Sequence, residues 1–184
     1  IQANPLLVDT IPPLNVERPL TVAGEFEGCR GMSSCLYDVA SNDGVPGFIE
    51  ANGPLLKRYR ELMAYPAYSD AVPLSAFGTV PTFPLLLAQA RQLFHADIAR
   101  RVLQSPESGG QALADLARQI EFDRRNLAAA GHSLSKLVFA AYLRDDYLLL
   151  SDVLQHLYSR TPSLVQAAAT PALTPLAAGE KSLA

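Results

Sequence analysis

The sequence predicts an all-α protein, an irregular helical bundle built on a long antiparallel αα-hairpin with a proline-rich N-terminal arm. Alanine and leucine dominate its apolar residues and tryptophan is absent, a bias that favours helix over strand. Apolar residues also recur at helical spacing over three long segments. Clusters of proline and glycine separate these segments and indicate the loops between them.

The length predicts one helical domain over residues 1–184, since 184 residues suffice for a substantial core. Residues 1–27 have no helical period and are predicted to form an extended arm. Its prolines are Pro5, Pro12, Pro13 and Pro19. Residues 28–170 form the helical body, and residues 171–184, rich in proline, alanine and glycine, are predicted to be a flexible tail.

Start and stop signals place the helices of the body. We predict helices over residues 34–40, 45–51, 54–65, 82–104, 111–130 and 133–158, with one more short helix from Thr161. The run SPESGG over residues 105–110 is predicted to break the chain between two long helices. Gly131 is predicted to turn the chain between the last two, which makes the hairpin. Folding about this turn predicts a salt bridge between Arg118 and Asp145.

The helix over residues 133–158 is predicted to be the centre of the domain, because apolar residues surround nearly all of it. Its main apolar stripe consists of Leu134, Leu137, Val138, Ala141, Leu148 and Leu149. The helix over residues 82–104 is predicted to be amphipathic instead. Its stripe is Leu86, Ala90, Leu93, Phe94 and Ile98, and Arg91, Gln92, Arg100 and Arg101 are predicted to lie away from it.

Composition excludes two classes of partner. The net charge is −3 and no cluster of lysine or arginine forms a phosphate-binding surface, so we expect no nucleic acid partner. No run of about 18 apolar residues is present, so we expect no transmembrane span. The chain begins at Ile1 rather than methionine, which predicts that an N-terminal segment has been removed; a signal peptide or a membrane anchor is one form that such a segment takes.

The two cysteines indicate the compartment. Cys29 and Cys35 lie six positions apart, which favours a disulfide that closes a small loop, with a pair of free thiols as the alternative. They are too few for a zinc site, and no histidine lies nearby, so no metal is predicted. A disulfide indicates an oxidising compartment, and the predicted localisation is periplasmic or otherwise exported.

The run from Glu121 to Leu154 resembles a group of uncharacterised exported helical proteins from proteobacteria. The matching positions are Phe122, Arg125, Leu127, Ser133, Leu134 and Lys136. The cysteine pair ending in Cys35 and the proline-containing lead-in to Phe83 are similar as well. The resemblance implies an exported, all-helical bacterial protein, and it brings no activity, ligand or catalytic residue.

Two constellations are candidates for catalysis. Ser133 and Lys136 fit the S-x-x-K pattern, in which a lysine one turn on takes the serine proton, but the partner motifs K-T-G and S-D-N are missing. Asp145, Asp152 and His156 fall on one side of the last long helix, within about 40° at 100° per residue. They fit a metal-binding edge or a carboxylate-oriented general base. The structural alternatives are a helix cap and a polar seam.

Two further features are weighed against simple packing roles. His95 and Asp97 point about 160° apart on a regular helix, so they cannot hold one ion together and are predicted to be surface or boundary residues. Tyr65, Tyr68 and Phe77 lie in or beside a proline-rich loop and are candidate interface residues. The alternative for this loop is packing against the bundle.

These patterns favour a non-enzymatic exported protein that binds another protein, for example an inhibitor or immunity protein of a periplasmic enzyme. No cofactor is predicted. The first alternative is a small hydrolase or metal-dependent enzyme that uses the polar seam or the serine–lysine pair. The second is a helical bundle that binds a lipid or another apolar ligand between its helices, beside Phe94, Phe139 and Tyr142.

Overall fold

Helices dominate the structure, a computed structural model that describes residues 22–29, 34–65, 82–130, 133–158, 160–162, 165 and 173–181. The predicted all-α class is confirmed, and no strand occurs among these residues. The helices are α1 (Cys35–Ala40), α2 (Val45–Ala51), α3 (Gly53–Met63), α4 (Thr82–Gln104), α5 (Pro106–Ala129), α6 (Ser133–Tyr158) and α7 (Ala178–Lys181). Within the described ranges, no helix is long and apolar enough to cross a membrane.

The central helix is α4, and the prediction that α6 holds this position is wrong. Every residue from Ala90 to Ala99 is buried, and α4 contacts α1, α2, α3, α5 and α6. The sequence misled because α4 carries Arg91, Gln92 and His95, which have polar partners inside the protein instead of water. A helix that is buried all round need not be apolar all round when its polar groups are paired.

The helix α5 begins at Pro106, five residues earlier than predicted. Ser105 caps it by accepting a hydrogen bond from the Ser108 amide, and Pro106 takes the first helical position, where proline needs no hydrogen-bond donor. The glycines of the SPESGG run therefore lie inside the helix. Gly109 has a packing reason to be there, because a Cβ at this position would lie 3.0 Å from Leu157 Cδ2.

The helix α6 has its predicted bounds, but its inward face differs from the predicted apolar stripe. Its buried residues are Lys136, Phe139, Leu143, Asp146, Leu149, Leu150, Val153 and Leu157. Leu134, Leu137 and Leu148 of the predicted stripe are exposed. The helix packs most extensively against α5. The turn at residues 131 and 132, the arm at residues 1–21 and most of the predicted helix after Thr161 lie outside the described residues.

Residues 22–29 are fixed to the bundle by side-chain hydrogen bonds. The Asn52 amide group donates to the Ala23 carbonyl oxygen at 2.9 Å and accepts from the Ala23 amide at 2.8 Å. Gln92 Nε2 donates to the carbonyl oxygens of Phe26 and Gly28, and the Phe26 ring is buried. This segment therefore covers one side of α4.

The predicted disulfide between Cys29 and Cys35 is present. It joins the end of the N-terminal segment to the first residue of α1, whose cap is Ser34. Cys29 has a positive φ of 59°, a conformation that is uncommon for residues other than glycine. The Cys29 amide donates to Asp38 Oδ2 at 2.8 Å, which stabilises this conformation together with the disulfide.

We predict that replacing both cysteines with serine lowers the free energy of unfolding by about 2 kcal/mol, since the bridge closes a loop of only a few residues. Urea denaturation of the two proteins at one pH measures the difference. Thiol titration of the denatured, unreduced protein is expected to find no free thiol. Two titratable thiols per chain would contradict the bridge.

Candidate functional site

A buried guanidinium joins the three long helices. Arg91 of α4 is almost fully buried and forms ion pairs with Asp123 of α5 and, at 2.6 Å, with Asp146 of α6. Its Nη2 also donates to the Tyr142 carbonyl oxygen at 2.9 Å. The guanidinium carbon lies 4.2 Å from the centroid of the Tyr142 ring, a cation–π contact. The charge of Arg91 is therefore compensated from two neighbouring helices at once.

Neutral groups complete this cluster. His95 Nε2 lies 2.9 Å from Asp146 Oδ1, and Gln119 Nε2 donates to Asp123 Oδ2 at 3.0 Å. The Tyr59 hydroxyl lies 3.5 Å from Arg91 Nη1, and its ring packs edge-on against Phe94. We call Tyr59, Arg91, His95, Gln119, Asp123 and Asp146 the core ionic cluster. It is built by one residue of α3 and by residues of α4, α5 and α6.

We infer that the two carboxyl groups of the cluster share one proton. Arg91 and Gln119 both contact Asp123 Oδ2, and the contacts of Asp146 with Arg91 and His95 are on its Oδ1. Asp123 Oδ1 and Asp146 Oδ2 are both buried and have no hydrogen-bond partner. A hydrogen bond between the two side chains would pair both atoms, and it requires a proton on one carboxyl group. A protonated Asp123 that donates to Asp146 satisfies both groups.

Burial is the largest cause of the shifted pKa values. It raises the pKa of Asp123 to about 8 against the opposing effect of Arg91, with a further contribution from the Asp146 charge. Burial also raises the pKa of Asp146 to about 6, again opposed by Arg91. For His95, burial and then the Arg91 charge lower the pKa to about 3. At neutral pH the cluster therefore contains Arg91 as a cation, one carboxylate, one carboxylic acid and a neutral imidazole.

The cluster has the groups of an acid–base site, but it lies in the interior of the bundle. Asp123 and Asp146 are fully buried, and catalysis needs a reacting atom within hydrogen-bond reach. What this arrangement can do is hold one proton and fix three helices in register. No group of three or more histidine, cysteine or acidic side chains suited to a metal ion occurs in the described part of the chain.

The predicted polar seam is divided in the structure. Asp145 and Asp152 line a crevice of about 20 Å³ together with His95 and the disulfide, which gives room for about one water molecule. His156 lies elsewhere on α6, with its Nε2 3.1 Å from Arg160 Nη1. Burial and the Arg160 charge lower the pKa of His156. The structure thus brings two of the three predicted residues together, beside a histidine that the sequence placed at the surface.

The other predicted site residues lie near helix ends or outside the described residues. Ser133 is exposed and Lys136 is buried, both in the first turn of α6. Tyr65 is exposed beyond the end of α3, and Tyr68 and Phe77 lie outside the described residues. The predicted salt bridge of Arg118 with Asp145 is wrong.

Local partners replace this salt bridge. Arg118 forms an ion pair with Asp115 in its own helix, and Asp145 forms one with Arg144 at 2.8 Å. A partner within one turn needs no inter-helix alignment, so both side chains find one locally.

Sequence patterns missed most of the core ionic cluster. Arg91 was assigned to the outside of α4, and His95 and Asp97 were assigned to the surface or its boundary, yet all three are buried. One signal was present in the sequence. Polar residues at positions 91, 92 and 95 interrupt an otherwise apolar helix and have many acidic residues available as partners on the two helices that follow.

Comparisons with known proteins give no assignment for this site. No protein-family model, curated protein or solved structure matches the chain.

We predict different effects for the two aspartates of the cluster. In Asp123→Asn the amide resembles a carboxylic acid, because its oxygen accepts from Arg91 and Gln119 while its nitrogen donates to Asp146. This variant is expected to lower the free energy of unfolding by less than about 1 kcal/mol. Asp146→Asn removes the charge that faces Arg91 and is expected to lower it by about 3–5 kcal/mol. Urea denaturation at pH 7 measures the loss in the free energy of unfolding for both variants, and the larger loss is expected in Asp146→Asn. An equal loss in the two variants would contradict the shared proton.

We also predict that stability falls as pH rises from 6.5 to 8. The pKa of Asp123 is about 8 in the folded chain against an ordinary value of 3.8. Between these two values the folded state holds a proton that the unfolded state has lost, so the free energy of unfolding falls as pH rises. Asp146 titrates at about 6. His95 has the opposite sign, and above its ordinary pKa of 6.5 it offsets only about 0.4 kcal/mol of this loss.

The expected loss from Asp123 is about 2 kcal/mol across this window, at about 1.4 kcal/mol per pH unit. Urea denaturation at pH 6.5 and pH 8 measures it. The matched control is Asp123→Asn, in which this part of the pH dependence is absent. If the variant and the natural chain have the same pH dependence, the protonated Asp123 is refuted.

Proposed function

We propose that this chain is an exported, non-enzymatic protein that binds another protein through the outer face of α6. The observation that carries the proposal is the exposure of three leucines on this helix while two of its charged residues are buried. Inside, α6 buries Lys136 and Asp146. Outside, Leu134, Leu137 and Leu148 are 59%, 58% and 44% exposed. We call these three leucines the α6 leucine face.

The geometry of this face suits docking. Its leucines lie within about 60° on the helical wheel at 100° per residue, and they span about 21 Å along the axis at 1.5 Å per residue. Ala141 is exposed in the same arc, which leaves a shallow gap between the leucines, and the Arg144–Asp145 ion pair borders it. Contiguous exposed apolar side chains with a polar border are typical of protein interaction sites.

Export is supported by the disulfide, because such bonds persist in oxidising compartments such as the periplasm. A non-enzymatic role is supported by the core ionic cluster and by the crevice beside His95. The carboxyl groups of the cluster are fully buried, and the crevice has room for about one water molecule. The partner that fits the face is a folded protein with an apolar cleft, and inhibition of a periplasmic enzyme is one concrete form of this role.

We expect the double variant Leu134→Glu, Leu137→Glu to lose its partner. Two half-exposed leucines contribute about 2–3 kcal/mol when a partner covers them, so affinity is expected to fall at least tenfold. The matched control is Leu173→Glu, since Leu173 is an equally exposed leucine in the C-terminal segment. Both variants are expected to keep the helical circular dichroism of the natural chain.

Crosslinking in periplasmic extract, followed by mass spectrometry, provides the measurement. The proposal is supported if the natural chain and the Leu173 variant capture one stoichiometric partner that the double variant does not. Capture that is equal in all three proteins places the interface elsewhere. Light scattering of the purified chain detects a second copy on the face, and a dimer that only the double variant abolishes would replace the proposed partner with a second copy of this chain.

A further inference from the structure

A groove runs between α5 and the C-terminal segment. It has a volume of about 650 Å³ and an apolar floor made by Ala114, Ala117, Ile120 and Ala128 of α5, with Thr174 and Ala177 opposite. The floor residues span about 21 Å of helix at 1.5 Å per residue. Volumes of this size are typical of sites for small molecules. The small side chains of the floor leave this space unfilled.

The opposite wall is held in place by one arginine. Arg124 Nε and Nη2 donate to the Glu180 carboxylate at 2.6 and 3.0 Å, and further Arg124 donors reach the carbonyl oxygens of Thr174 and Pro175. The hydrogen bond from Arg124 is the largest cause that lowers the pKa of Glu180. The C-terminal segment is therefore tied to α5 at one edge of the groove, and the groove is preformed rather than made by a loose tail.

A second pocket of about 290 Å³, which Met63, Ala64 and Phe94 help to line, adjoins the groove. Arg118, Glu121 and Arg125 line both spaces, so they form the boundary between them. The pocket is also lined by Arg60 and Asp115. Three arginines from α3 and α5 thus line the pocket along one side of the groove.

The charges around this pocket are unequal. Asp97 forms ion pairs with Arg60, Arg100 and Arg101. Asp115 forms ion pairs with Arg101 and Arg118. Glu121 forms one with Arg125. Three of these arginines and two of the carboxylates line the pocket itself, which leaves one positive charge there in a chain whose net charge is −3. Arg118 is the most exposed of them, at 73% of its side chain. Each guanidinium has five donors, so the exposed donors of Arg118 and Arg125 can contact a bound anion while their ion pairs with Asp115 and Glu121 stay formed.

We propose that the groove and the pocket together bind one amphipathic molecule with an anionic head group and a single alkyl chain. The alkyl chain lies along the alanine floor of α5, where burial removes its apolar surface from water. The head group lies in the pocket among Arg60, Arg118 and Arg125. The guanidinium fork matches the oxygen geometry of phosphate and carboxylate, which favours these head groups over neutral ones.

Isothermal titration of the full chain with decyl phosphate, below the concentration at which it forms micelles, tests the proposal. One site per chain is expected. Decyl maltoside, which has the same chain and a neutral head, is expected to bind at least tenfold more weakly. Inorganic phosphate is expected to give no measurable binding, because it lacks the chain. Shortening the ligand from decyl to octyl phosphate is expected to weaken binding about fifteenfold, since two methylene groups leave the groove.

Variants separate the two halves of the site. Arg118→Gln with Arg125→Gln is expected to weaken decyl phosphate at least fivefold and leave decyl maltoside unchanged, and Arg58→Gln is the control at an exposed arginine outside the pocket. Ala114→Phe or Ala128→Phe is expected to weaken both ligands at least tenfold by filling the groove, with Ala51→Phe as the control. All of these positions except the half-buried Arg125 are exposed, and circular dichroism checks that each variant is folded.

The results that overturn the proposal are equally definite. Equal affinity for the phosphate and maltoside head groups removes the role of the arginines. Binding that survives both phenylalanine variants places the ligand outside the groove, and binding that is lost in Leu137→Glu places it on the α6 leucine face. No heat with either ligand refutes the site itself.

Discussion

The burial of one positive charge, on Arg91, constrains the rest of this structure. A guanidinium has five donors and no acceptor, and removing its charge from water is costly unless carboxylates and hydrogen-bond acceptors replace the water. Asp123, Asp146 and the Tyr142 carbonyl oxygen supply this replacement. Burial alone would lower the pKa of Arg91, but the charges of Asp146 and Asp123 outweigh it and raise the pKa. Arg91 therefore remains charged within the bundle.

This requirement specifies how the long helices align. Apolar side chains tolerate small shifts of one helix along another, because one leucine can replace another as a neighbour. An ion pair does not, since a shift of one turn, about 5.4 Å, would remove a carboxylate from the guanidinium. Arg91 contacts a residue from each of α5 and α6, so it fixes both helices relative to α4. We infer that the cluster makes the packing specific rather than adding net stability, a role that buried ionic groups have in some proteins.

The sequence predicted the elements better than the faces they bury. The bounds of α4 and α6 and the helices near residues 34–63 follow from caps, prolines and periodicity, which are local signals. The centre of the domain was misassigned because hydropathy counts Arg91, Gln92 and His95 as outside residues. Their burial depends on partners from distant parts of the chain, such as Asp146 and the carbonyl oxygens of Phe26 and Gly28. No local pattern contains that information.

The start of α5 and the disulfide also differ in whether the determining contact is local or comes from a distant part of the chain. The glycines at 109 and 110 indicate a break when only propensity is considered, since glycine weakens a helix by about 1 kcal/mol relative to alanine. The contact of Gly109 with Leu157 becomes visible only when α6 is in place. The bridge between Cys29 and Cys35, by contrast, lies within a short loop, where spacing alone favours pairing.

The core ionic cluster also explains why α6 leaves its leucines outside. Asp146 lies about 150° from the centre of the α6 leucine face at 100° per residue, so rotating the helix to bury the leucines would withdraw Asp146 from Arg91. The exposed fractions of Leu134, Leu137 and Leu148 represent about 3 kcal/mol of apolar burial not realised in the folded chain.

Removing one partner from a buried ion pair costs about 3–5 kcal/mol. This cost exceeds the stabilisation that burying the three leucines would contribute. The same rotation of α6 would also move Lys136 away from its present buried position. Lys136 and Asp146 of this helix therefore stay inside the bundle. A partner that covers the leucines recovers the unrealised burial without disturbing Arg91, so the same interaction that fixes the interior also determines which surface of α6 is available for binding.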